Sequence, residues 1–353
     1  MTRSPLALLA AAIVIATTAP SAQAPADRSP LALARLLAAQ YPRMPAISYI
    51  PAVAWSASLR LSVVTGEDRW REKPRRDLQP FIAAHTIAPG RTPQLSSAAM
   101  HMAMADLGEV DRNADAVALS REAAEAVIDR AGGDTIRNAN GWSDDMFMSA
   151  SLLARVAARR PSADEARTRE LQALGQLLTR DVATLQRPDG LFVHAAAGPY
   201  AWGRANGFAL LGLADALTYA GEAWDARPAL LAAYRRQVAA MAARQSPDGA
   251  WHEVVDQPDS STELTVTAMT VTGIARGIRR GWLSRELLPV VDRGWRAVAA
   301  RVNDDGSLRE VCGSTPVGPT LEYYLTRPMI NGPDDRGGAF ALLAAVEVAE
   351  LRR

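Results

Sequence analysis

The sequence predicts an all-α fold: an (α/α)6 barrel, or toroid, of six helical hairpins with short strand-like loops on one rim. Three observations lead there. Amphipathic patterns rich in alanine and leucine fill the chain, about twelve of them by apolar spacing of three and four residues. A turn containing aspartate and glycine ends a long helix at Gly190, Gly249 and Gly306, spaced 59 and 57 residues apart; Gly133, a weaker copy, lies 57 before Gly190. Each turn opens a short extended segment and then the next helix, and self-similarity at a fixed period marks a repeat fold. Six hairpins form either an open solenoid or a closed ring. Neither end shows an atypical capping repeat, which favours closure.

The chain begins with what reads as a secretory leader over residues 1–24. Arg3 supplies the positive start, Leu6 to Ala16 the apolar run, and Ala22-Gln23-Ala24 a small-x-small cleavage site. The run is too short for a permanent membrane span. Residues 25–353 then form one domain, the barrel. Helical patterns lie at 30–41, 49–65, 68–83, 93–108, 112–131, 143–159, 163–186, 203–220, 225–245, 261–281, 284–302 and 335–352. Strong helix formers dominate them. Strand signals are few: Leu191-Phe192-Val193, Trp251 to Val255 and Leu308 to Val311. Equivalent loops of a helical ring emerge on one rim. Asp144, the run His194 to Asn206, the run His252 to Glu263 and the run Arg309 to Tyr324 therefore converge on one mouth, where a ligand is expected.

Composition excludes several classes. The 353 residues carry a net charge of +1, and leader removal takes away Arg3 alone. A near-neutral chain argues against nucleic acid or an anionic membrane as partner. No other run of about twenty apolar residues appears, so the processed chain is expected to be soluble, and the leader places it in the periplasm or medium. The one cysteine, Cys312, forms no intramolecular disulfide and no cysteine-based zinc site. None of the four histidines pairs at zinc-ligand spacing, and His252-Glu253 lacks the second histidine of a zincin motif. Neither a phosphate loop nor a Gly-x-Ser-x-Gly elbow is present. No metal or cofactor is expected.

The candidate site residues cluster after the turns. In Asn140-Gly141-Trp142-Ser143-Asp144-Asp145 a helix begins, and Ser143 or Asp144 suits its N-cap. Adjacent carboxylates point to different sides of a helix, so one faces the cavity while the other caps or meets solvent. His194 follows on a short extended segment. Trp202-Gly203-Arg204-Ala205-Asn206-Gly207-Phe208 combines an indole and a phenyl face with a guanidinium able to hold a carboxylate through two parallel bonds. Glu263 stands near a helix N-terminus, where the macrodipole favours it.

Taken in order, these runs resemble the unsaturated glycuronyl hydrolases, most closely the unsaturated rhamnogalacturonyl hydrolases of glycoside hydrolase family 105 and the related family 88. The matching pieces are Trp142-Ser143-Asp144 with Met148, Gly190 to His194, Trp202 to Gly207, Trp251-His252, Glu263 with Ala268-Met269, Val311 to Thr315, and Tyr323-Tyr324 with Arg327-Pro328. The resemblance implies an (α/α)6 barrel and an enzyme acting on oligosaccharides left by polysaccharide lyases. It implies hydration of the enol ether of a Δ4,5-unsaturated uronic acid, with one aspartate as acid and then base. Asp144 matches that aspartate, with Asp145 as the alternative one residue on. His194, Trp202 and Arg204 match subsite residues, and the physical assignment gives Arg204 the substrate carboxylate or a neighbouring hydroxyl and Trp202 the ring face. Trp142, Asn206, Phe208, His252 and Glu263 complete the expected substrate-binding set. Two elements depart from the family pattern. An upstream aspartate is absent from Pro93-Gln94-Leu95-Ser96-Ser97-Ala98-Ala99, and Asn331-Gly332-Pro333-Asp334-Asp335-Arg336-Gly337 carries arginine where the family has histidine. A non-catalytic carbohydrate-binding toroid and another (α/α)6 glycosidase or lyase are the alternatives.

Overall fold

Glutamine and glycine set the corners of the molecule. In the computed structural model, which describes Met1 and residues 27–87 and 94–353, Gln186 Nε2 donates to the Gly190 and Ala233 carbonyls at 3.1 and 3.0 Å. Gln245 repeats this one unit on, donating to Gly249 and Val290 at 2.9 and 3.0 Å. The turn glycines Gly190, Gly249 and Gly306 hold φ of +92°, +90° and +79°, a region that costs other residues strain. A Cβ at Gly190 would stand 2.6 Å from the Arg236 carbonyl, so the turn docks on the next outer helix. The leader expected over residues 1–24 lies outside the described residues, Met1 excepted.

Among the described residues twelve longer helices build the barrel: α1 Pro30–Gln40, α2 Tyr49–Thr65, α3 Arg69–Ala83, α4 His101–Asp111, α5 Ala114–Ala126 and α6 Ser143–Ala158 in the first half. The second half holds α7 Glu165–Leu185, α8 Gly203–Tyr219, α9 Arg227–Ala242, α10 Leu264–Arg279, α11 Leu288–Ala300 and α12 Asp335–Leu351. The even-numbered helices form an inner ring in which each packs on the next and α12 returns to α2. The odd-numbered helices form the outer layer, and α1 packs on α12 to seal the seam. The turn at Gly306 also meets α1: the Tyr41 hydroxyl donates to the Gly306 carbonyl at 3.0 Å. Closure of the six hairpins is thus built by contacts between the two ends of the chain.

Two boundaries differ from the sequence pattern. The helix expected over 93–108 is a four-residue turn, Leu95–Ala98, followed by α4. Between them the amides of Met102 and Ala103 reach back three residues, to Ala99 and Met100, which tightens the backbone. The helix expected over 112–131 stops at Ala126 because residues 128–129 pair with 135–136 as a short hairpin. Leu191 to Val193 makes a single bridge, Phe192 to Gln186, rather than a strand. Two further hairpins join Trp251–His252 to Thr262–Glu263 and Leu308–Cys312 to Met329–Gly332.

The inner ring is filled differently at its two ends. Across its middle, Tyr49, Phe147, Phe208 and Phe340 from four inner helices pack with ring centroids 5.6–6.5 Å apart, leaving an apolar floor. Near the C-terminal ends lies an ion network. Asp215 accepts from Arg155 at 2.6 Å and from Arg276, while Glu347 meets Arg60, Arg276 and Arg279 at 2.6–3.1 Å. Burial alone would raise the Asp215 carboxyl, but Arg155 and Arg276 hold it below the usual carboxylate range. The N-terminal ends of α6, α8, α10 and α12 share the opposite mouth.

Candidate active site

The site is assembled where the extended segment Leu191 to Ala195 crosses the start of α6. The Ser143 amide donates to the His194 carbonyl at 2.9 Å and its hydroxyl to the Val193 carbonyl at 2.5 Å, while Trp142 bridges Ala195. These bonds fix the helix register and separate the two carboxylates. Asp145 Oδ2 accepts from the amides of Asn140, Gly141 and Trp142 at 2.6, 2.9 and 3.3 Å. It therefore caps α6 from inside the first turn, a task the sequence reading gave to Ser143 or Asp144. Asp144 is released from that task. Its side chain is 21% exposed, and its Oδ2 is buried with no hydrogen-bond partner among the described residues.

Facing that oxygen is His194 Nε2, 3.4 Å away and also without a hydrogen-bond partner. The imidazole is fully buried, with Trp142 at 5.4 Å, Trp202 at 4.4 Å and Tyr324 at 5.7 Å between ring centroids. Its Nδ1 is 2.9 Å from the Tyr324 hydroxyl oxygen, which accepts from the Gly318 amide at 3.1 Å. Burial raises the Tyr324 phenol above its ordinary value, so the hydroxyl keeps its proton. A phenol that donates to Nδ1 leaves the ring hydrogen on Nε2, the nitrogen 3.4 Å from Asp144.

Behind His194 stands a second layer. The Trp202 indole N–H donates to Glu253 Oε1 at 2.8 Å, and the Arg204 guanidinium lies 4.4 Å from the indole centroid. The Cys312 thiol donates to the same Glu253 oxygen at 2.7 Å. Burial, with Glu263 nearby, pushes the Glu253 carboxyl up to about 7. The Arg204 nitrogens donate to the Cys312 and Gly313 carbonyls at 3.0 and 2.7 Å, so this guanidinium ties the loop after Val311 to α8.

Other expected residues lie close by but spend their side chains on the fold. Asn206 accepts from the Phe192 amide and donates to the Phe192 and Trp202 carbonyls, clamping the extended segment to α8. Glu263 accepts from Val266 and Cys312 amides at 2.7 and 2.9 Å, capping α10. Phe208 belongs to the apolar floor. His252 sits in a hairpin with Nδ1 2.5 Å from the Ser260 carbonyl oxygen. The sequence pattern places Tyr324 and Glu253 in runs at the mouth but assigns neither a role; their partners lie 130 and 51 residues away.

A groove of about 930 Å³ opens elsewhere, on the outside of the ring between α7 and the loop holding Trp224. A smaller cavity of about 170 Å³ adjoins the ion network. Neither includes Asp144 or His194, and the facing acid and imidazole decide where the chemistry is assigned.

Comparisons with known proteins show the family and the fold. Residues 39–352 match the model of Glycosyl Hydrolase Family 88. The chain is 26% identical over 178 residues to an unsaturated 3S-rhamnoglycuronyl hydrolase of Alteromonas sp. (strain LOR), covering 48% of this chain and 43% of that protein. It is 27% identical over 191 residues to the unsaturated rhamnogalacturonyl hydrolase YesR of Bacillus subtilis (strain 168), covering 53% and 54%. The aligned stretch thus spans about half the length of these curated relatives. A crystal structure of a possible member of the GH105 family from Salmonella enterica superposes with a TM-score of 0.79 at 19% identity, over 96% of this chain and 99% of that one. Its fold is shared. Because the family model spans nearly the whole described barrel, this chain belongs to glycosyl hydrolase family 88.

Proposed function

We propose that the protein removes a Δ4,5-unsaturated uronic acid from the non-reducing end of lyase-generated oligosaccharides. Pectic rhamnogalacturonan fragments are the first substrate class, supported by the rhamnogalacturonyl hydrolase relative. Ulvan or other acidic polysaccharide fragments come next. The observation that carries the reading is the unpartnered Asp144 Oδ2 facing His194 Nε2, beside a neighbouring carboxylate already used as a cap.

The steps follow from that arrangement. Asp144, as the acid, gives its proton to C4 of the sugar, and the positive charge that develops at C5 is shared by the ring oxygen. The resulting carboxylate takes a proton from the water that adds at C5. The C5 hemiketal opens to a ketone, and the exposed C1 hemiacetal releases the aglycone. One water is consumed and the carboxylic acid is restored. A single group serves as acid and base in turn, so the paired carboxylates of ordinary glycosidases are not required. The hydrogen on His194 Nε2 stabilises the Asp144 carboxylate between the two transfers. Trp142 and Trp202 wall the imidazole; Trp202 is buried behind it, and the half-buried Trp142 is the indole left to face the sugar. Export through the leader would place the enzyme in the periplasm or medium.

Paired substrates test this. The unsaturated uronyl oligosaccharide should be consumed, and its saturated counterpart should remain intact, because only an enol ether is hydrated. Comparable turnover of the saturated compound would contradict the reading and indicate displacement at the anomeric carbon.

A further inference from the structure

We propose that Arg336, at the start of α12, takes the carboxylate of the bound uronate and so sets the preference for an acidic terminal sugar; this rests on the uronyl hydrolase reading above. The argument begins with arginine pairing. Among the described residues five arginines are buried: Arg155, Arg204, Arg227, Arg276 and Arg301. Four of them meet a carboxylate within 4 Å, namely Asp215 for Arg155 and Arg276, Glu222 for Arg227, and Glu310 for Arg301. Arg204 meets none and donates to backbone carbonyls.

The same loop collects two more guanidinium groups. Arg336 NH1 donates to the Cys312 carbonyl at 3.2 Å, the oxygen that Arg204 also uses, and Arg327 NH2 donates to the Ser314 carbonyl at 2.6 Å. The Nε atoms of both Arg327 and Arg336 are buried without a partner. Nearby carboxylates are engaged elsewhere: Asp334 accepts from the Gly337 amide at 2.7 Å, Asp335 from the Arg43 amide at 3.0 Å, and Glu310 meets Arg301 at 2.6 Å. None of the three is ion-paired among the described residues, and the carboxylates that reach this loop, Glu263 and Glu253 on the Cys312 amide and thiol, stand beside Arg204. Arg327 and Arg336 are left for an incoming anion.

Of the three, Arg336 is best placed to receive it. Arg204 is only 2% exposed and has both terminal nitrogens bound, whereas Arg336 is half-buried with one terminal nitrogen bound. In the ring α12 stands opposite α6, so Arg336 and Asp144 lie across the same mouth. Arginine matches a planar carboxylate through two parallel bonds, and its charge persists at every working pH.

The test compares a free acid with its ester. Steady-state kinetics would be measured for wild type, Arg336→Gln and Arg336→Lys on an unsaturated uronyl disaccharide and on its methyl ester. Gln keeps a donor for the Cys312 carbonyl but removes the charge. The expected result is a KM for the free acid raised by about 10- to 100-fold in Arg336→Gln, partly recovered in Arg336→Lys, with kcat and the ester KM little changed. Parallel losses on acid and ester, or an unchanged KM for the acid, would overturn the proposal. Calorimetry with the same disaccharide separates the two readings. If wild type turns over neither compound yet binds the acid in a manner lost in Arg336→Gln, the reaction is wrong and the carboxylate site stands; absence of binding overturns both.

Discussion

Asp144 Oδ2 and His194 Nε2 lie 3.4 Å apart, and neither atom has a hydrogen-bond partner among the described residues. Each is placed by a different bond. Ser143 anchors the α6 start to the His194 backbone, and Tyr324 anchors the imidazole from the far side. The pair is poised for a proton that must leave and return.

Removing the Tyr324 hydroxyl tests the anchoring. Tyr324→Phe keeps the ring packed against Trp202 and Tyr200 but frees His194 Nδ1. Loss of one such hydrogen bond is worth about 1 kcal/mol, so kcat should fall roughly 5-fold with KM little changed. A kcat equal to wild type would show that the imidazole is oriented without the phenol.

Asp145 should matter to stability rather than to binding. Asp145→Ala removes the acceptor for three loop amides and should cost about 1 kcal/mol, within the range for lost caps. Thermal unfolding measures it, and an unchanged midpoint would contradict the capping role.

Most of the fold was legible in the sequence, and the reasons are local. Helix patterns and Asp-Gly turns depend on propensity and positive φ, which a few neighbouring residues determine. The break before His101 was not legible. The run Ala98-Ala99-Met100 carries no breaker, and the interruption accompanies a tertiary contact, His101 Nε2 to the Thr86 carbonyl at 3.0 Å. In the site, the run Trp142-Ser143-Asp144-Asp145 pointed to two acids but not to their division of labour. That division depends on Ser143 meeting Val193, fifty residues on. Tyr324 and Glu253 stood in the runs placed at the mouth, but their roles were not legible for the same reason, since nothing local marks their partners.

Buried carboxyls give a pH signature. Burial pushes Asp145, Glu170 and Glu253 up to about 7, against ordinary values of 3.8, 4.5 and 4.5. Between those limits the folded state holds more protons than the unfolded one. The stability these groups contribute is therefore fully present below the ordinary values and is lost as pH rises through about 7. Thermal unfolding should show a falling midpoint from about pH 5 to about pH 8, and Glu253→Gln should flatten it. An equally steep fall in that variant would remove Glu253 from the explanation.

The ion network at the opposite mouth should serve the fold. Asp215→Asn leaves Arg155 and Arg276 buried without their shared anion. The cost should be about 3–5 kcal/mol by urea denaturation, with activity per folded molecule retained at low temperature. A loss below 1 kcal/mol, on the order of a surface pair, would contradict this.

The most direct measurement follows the ultraviolet absorbance of the unsaturated uronyl group in lyase-digested pectin, ulvan and glycosaminoglycan. Wild type should remove the absorbance from at least one digest. Asp144→Asn should slow that loss by about 10²–10⁴-fold while unfolding at the same temperature as wild type. Undiminished loss of absorbance in Asp144→Asn, or none with folded wild type on any digest, would contradict the account.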